Sequence, residues 1–143
     1  MPKVDFYILP DTETSAGERF ACRLVEKAYS LGHRIYLHTS DAASAARLDQ
    51  LLWTFRDGSF LPHELASPTP AQSPIVVGYQ TLPETADDLL ITLADTLAED
   101  LSRFARIAEI VAGDDSQRSR ARERYRRYRD QGYELESHQL DGV

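Results

Sequence analysis

One cysteine, Cys22, is all the chain has in 143 residues. It cannot close an internal disulfide, so stability must come from a packed core, and the count agrees with a reducing compartment. Long hydrophobic runs are missing as well: nothing approaches the roughly 18 residues a membrane helix needs, and the opening "MPKVDFYILP" lacks the apolar stretch of a secretion signal. A cytoplasmic protein with no membrane contact is expected. Glycine-rich loops are absent too. The first strand-to-helix connection, "PDTETSAGERF", holds one glycine among acidic residues, so a phosphate would meet repulsion there instead of the backbone donors of a G-x-G-x-x-G or G-x-x-x-x-G-K loop. This argues against a nucleotide-binding enzyme.

Reactive constellations are just as scarce. His33, His38, His63 and His138 are far apart, and none falls in a His/Cys ligand spacing. Ser15 and Ser59 lack the G-x-S-x-G elbow, and Cys22 lies in mid-helix with no base near it in sequence. No catalytic residue, metal or cofactor is expected.

What is there is ordinary globular material, 42% apolar and 27% charged, enough for one domain over residues 1–143. Val4 to Leu9, Arg34 to His38, "PIVVGY" and "DLLITLA" read as buried strands. Apolar spacings of three and four mark a helix from Ser15 to Leu31 and a second one ending near Trp53. The same spacing through Leu97, Leu101, Phe104, Ile107, Ala108 and Val111 predicts a third, closed by Gly113. A fourth follows, capped by Asp114, Asp115 or Ser116 and ended by Gly132, before a last strand in "YELESHQL". Alternating strands and helices predict an α/β fold, Rossmann-like, with a largely parallel sheet and helices on both faces.

The fourth helix carries "RSRARERYRRYRD", residues 118–130, seven arginines in a chain of net charge −7. Outside it stand nine basic residues against twenty-one acidic ones, a net −12. General coating of nucleic acid needs a broadly basic face, so a single basic patch on an acidic body suggests a small, local anionic partner. At 100° per residue, Ala121, Tyr125 and Tyr128 fall within about 60° of one another and should face the domain. Arg118, Arg122, Arg126 and Arg129 border this strip on one side, with Arg120, Arg124 and Arg127 on the other. One reading is a solvated helix whose arginines pair with the acidic body. The other is a row of guanidinium forks at Arg118, Arg122 and Arg126 that takes carboxylates or phosphates, flanked by Tyr125. A second feature, "LWTFRDGSFLP", places Trp53, Phe55, Phe60 and Leu61 around a helix end and a long loop. They form either a satellite core or exposed anchors for another protein.

"FYIL", "RLDQLLWTFRDGSFLPHELA", "DLLITL" and "ARERYRRYRDQGYEL", in that order, resemble the chi subunit family of bacterial DNA polymerase III over nearly the whole chain. The resemblance implies a non-enzymatic accessory protein of the clamp loader. It would bridge the psi subunit and the acidic C-terminal tail of single-stranded DNA-binding protein (SSB), touching DNA only indirectly. It also implies the residues: Arg118, Arg122 and Arg126 as charged contacts to the tail, with Val111 at the edge of its apolar pocket, which Tyr125, on the helix beside the row, would flank, and Trp53, Phe60, Leu61, Pro62 and His63 toward psi. Direct nucleic-acid binding by the arginine helix is the rival reading, opposed by the net −12 around it.

Overall fold

The structure, a computed structural model, describes residues 2–10, 14–58, 60–80, 82–83, 85–94 and 101–140. Ser59 and Leu97 lie outside these residues, as do positions 11–13 of the first loop. The elements run β1 (Lys3–Ile8), α1 (Thr14–Ser30), β2 (Ile35–His38), α2 (Ala42–Thr54), β3 (His63–Leu65), β4 (Ile75–Gly78), β5 (Leu89–Thr92), β6 (Arg106–Val111), α3 (Asp115–Asp130) and β7 (Glu134–Gln139).

All seven strands join one sheet in the order β3-β4-β2-β5-β6-β1-β7, and every pairing is parallel. Parallel strands covered on both faces read as unbroken apolar runs, and β2 and β5 are buried at every position. On one face, Ala21, Cys22 and Val25 of α1 and Ala45, Leu48 and Leu52 of α2 pack against Leu37, Val77, Ile91 and Ile110. On the other, Ala121 and Tyr128 of α3 pack against Val4, Phe6, Ile107 and Val111. The architecture is thus the Rossmann-like α/β arrangement the sequence predicts.

Two segments differ from expectation. The helix predicted through Phe104 to Val111 is not formed: residues 101–105 turn, and Arg106–Val111 is β6, lying between β5 and β1. Five of its six residues are buried, so both faces are covered, and the spacing of three and four that resembles a helix is a by-product of a fully covered strand. Leu101 and Phe104 fold back to cover the sheet beside Tyr36 and Leu90. Within the long proline-rich connection, β3 pairs with β4. Its Glu64 carboxylate accepts from the amides of Gln72 (2.6 Å) and Ser73 (2.7 Å), which folds the 66–74 loop back on itself. Among the described residues, no helix is long and apolar enough to cross a membrane.

Candidate functional site

The arginine helix begins at Asp114, whose side chain accepts from the Gln117 amide at 3.0 Å. Before it, Gly113 has φ +131°, and a Cβ there would run into the Gln117 side chain, so the turn from β6 into α3 requires glycine. The helix ends at Gln131, followed by Gly132 at φ +87°. Ala121 and Tyr128 are buried and Tyr125 half-buried, so the apolar strip faces the sheet. There the Phe6 ring sits 5.4 Å from Tyr125 and 6.0 Å from Tyr128.

The seven arginines separate by environment. Arg122, Arg126, Arg127 and Arg129 are exposed, whereas Arg118, Arg120 and Arg124 are partly buried. Arg118 Nη2 donates to the Leu9 carbonyl at 2.7 Å, fastening the first turn of α3 to the end of β1. Arg124 turns inward, its Nε donating at 3.0 Å to Glu109 of β6, a carboxylate with no exposure at all. The other Glu109 oxygen accepts from the Tyr128 hydroxyl at 2.7 Å. Burial is the strongest influence on the Glu109 carboxyl and leaves it above its ordinary range, although Arg124 and Tyr128 pull the other way; each of its oxygens has its own hydrogen-bond partner. Burial, reinforced by Glu109, raises the Tyr128 phenol, which keeps its proton and donates. Sequence reasoning missed Glu109, because the segment reads as helix. An acid between Ala108 and Ile110 in a β-branched run, followed by seven arginines, was the available signal.

Val111 is buried and lines a cleft of about 100 Å³ at the C-terminal edge of the sheet, with Gln117, Arg124 and Leu93. Arg118, Arg122 and Arg126 do not line that cleft. The row therefore lies on one flank of α3 and the Val111 cleft on the flank of Arg124.

The aromatic feature sits at the opposite edge of the sheet. Trp53 is 50% exposed and Phe60 84%, while Leu61 and His63 are buried and Pro62 is exposed. Leu61 belongs to the α1/α2 core. His63 lies beneath Trp53, ring centroids 4.2 Å apart, with Nδ1 2.7 Å from the Leu61 carbonyl and Nε2 2.9 Å from that of Asp49. It thus ties α2 to the strand that follows the loop, and Arg56 ties the loop to α1 through Glu26 at 3.2 Å.

A metal-like grouping occurs at Asp5, Glu136 and His138, whose ligand atoms lie within 4.8 Å. The chain's own cations already occupy it: Arg106 Nη2 is 2.6 Å from Asp5 and Lys3 Nζ 2.6 Å from Glu136.

Guanidinium groups on one side of the sheet and exposed aromatic rings at its far edge are the main outward features of this α/β protein. Residues 1–136 match the family described as DNA polymerase III chi subunit, HolC. The chain is 41% identical over 143 residues to DNA polymerase III subunit chi of Pseudomonas aeruginosa, covering 100% of both. It is 32% identical to the subunit of that name in Escherichia coli, over 94% of this chain and 96% of the other, and 32% identical to that of Haemophilus influenzae, over 91% and 92%. The chain belongs to the chi subunit family of DNA polymerase III and is part of the replication machinery.

Proposed function

We propose that this chain is a non-catalytic adaptor of the clamp loader, holding the acidic C-terminal tail of SSB on α3 and the psi subunit on the Trp53/Phe60 edge. The observation that carries the first half is the row Arg118, Arg122, Arg126: spaced one turn apart, with Arg122 and Arg126 exposed, on a body whose remaining charge is −12. A tail with several carboxylates, its own terminus included, suits guanidinium forks. The tail's apolar end lies against half-buried Tyr125, which adjoins the row on the helix, and not in the Val111 cleft, which opens on the flank of Arg124. Burying that end contributes roughly 1.5 to 3 kcal/mol, so affinity on the order of micromolar, weakening with salt, is expected.

The psi contact draws support from the exposure of Phe60, Trp53 and Pro62, with Leu61 and His63 supporting them from beneath. Exposed aromatic anchors dominate interface energetics.

Calorimetry with a synthetic SSB tail peptide tests the reading. Arg122→Ala should weaken binding about tenfold or more, with an unchanged melting temperature; undiminished affinity would sink the assignment. A labelled single-stranded oligonucleotide titrated without SSB separates tail binding from direct DNA binding, since the adaptor alone should scarcely bind it at physiological salt.

A further inference from the structure

We infer that Glu109, Arg124 and Tyr128 form the positioning element of the tail-binding helix, and that Arg124 is a fastener of that helix and not a contact to the tail. The inference rests on the tail-binding reading above and assigns roles to residues that the row does not include.

An α-helix lying on a sheet can roll about its axis, and each residue turns through 100°. The apolar strip of α3 is narrow, with Ala121 and Tyr128 its two buried members, so packing alone constrains the roll weakly. Arg124 lies about 120–160° around the helix from Arg118, Arg122 and Arg126. Its bond to Glu109 at 3.0 Å therefore fixes where the row points. Tyr128, one turn on, reaches the second oxygen of the same carboxylate at 2.7 Å, so two bonds from one helix face converge on one buried group. Glu109 is rigid in turn: its strand neighbours are Phe6 on one side and Thr92 on the other, in the middle of the sheet. On the opposite flank, Arg118 closes the constraint by reaching Leu9. The charge consequence is selective. Arg124, paired with a carboxylate, is withheld from the ligand, and a tail meets the exposed arginines of the row.

The test uses the full chain and a synthetic SSB tail peptide at several salt concentrations, at a temperature where circular dichroism shows each variant folded. Glu109→Gln should weaken binding roughly five- to thirtyfold, with the slope of log affinity against log salt unchanged, because the same contacting charges are engaged. Arg122→Ala should weaken binding and flatten that slope. The double variant Glu109→Gln/Arg124→Gln restores a neutral hydrogen-bonding pair and should recover affinity to within about threefold of the original, since the pair acts through hydrogen bonds worth about one such factor each. Where Glu109→Gln does not fold, Tyr128→Phe removes a single bond and should weaken binding about two- to tenfold. Glu109→Gln or Tyr128→Phe binding as tightly as the original chain overturns the positioning role, as does a double variant that stays weak. An original chain that does not bind the peptide at all overturns the tail-binding reading, and this role with it.

Discussion

Phe60 and Leu61 are adjacent in sequence, one 84% exposed and the other 3%. The backbone entering β3 alternates its side chains, so one apolar residue goes to solvent and the next into the core of α1 and α2. Their substitutions should therefore separate binding from folding. Phe60→Ala should change unfolding free energy by no more than about 0.5 kcal/mol while weakening psi binding. Leu61→Ala should cost about 2 to 5 kcal/mol through the cavity it leaves. Urea unfolding and psi titration on both variants check this; a large stability loss for Phe60→Ala with intact psi binding would return Phe60 to a structural role. Sequence alone leaves the pair ambiguous, because "SFLPH" offers apolar residues for either role and no period long enough to orient them.

At the scale of elements, legibility followed the amount of local signal. α3 announces itself by an acidic cap, a strip of one alanine and two tyrosines, and a closing glycine, and it forms where those residues place it. β6 is illegible for the opposite reason: a central parallel strand has no polar face to set a period of two. With β6 hidden, so was Glu109, and the arginine row was readable while the group that holds it was not. The strands on the β7 side of the sheet are stitched by charge. Asp5 of β1 accepts from Arg106 of β6 at 2.6 Å and lies 3.0 Å from His138 Nε2 of β7. Burial pushes the Asp5 carboxyl up, but hydrogen bonds from His138 and Arg106 outweigh it and hold it below its ordinary 3.8. Between that lowered value and 3.8 the unfolded chain binds more protons than the folded one, so stability rises with pH there. The contribution is fully present above the unfolded value and is lost as pH falls through the folded one. Asp5→Asn should accordingly flatten the dependence of the urea midpoint on pH below about pH 4. A curve parallel to the original would place the acid sensitivity elsewhere.

For the whole molecule, strand order decides how the two proposed surfaces relate. β3 ends the sheet on one side, and α3 covers β6 and β1, four and five strands away; at about 4.8 Å per strand that is roughly 19–24 Å. α2, which carries Trp53, lies on the opposite face of the sheet from α3. The residues at one surface thus stand well beyond a Debye length, about 8 Å at physiological salt, from those at the other. Coupling would need a two-state element linking them, and what lies between is a sheet buried on both faces, in which alternative packings are costly. The tail peptide should consequently bind the psi-saturated chain with the same affinity as the chain alone, to within about twofold. Reciprocity requires that psi be equally indifferent to the tail. Calorimetric titration of the peptide with and without psi measures this directly, and a shift of tenfold in either direction would mean that the sheet transmits what its packing says it should not.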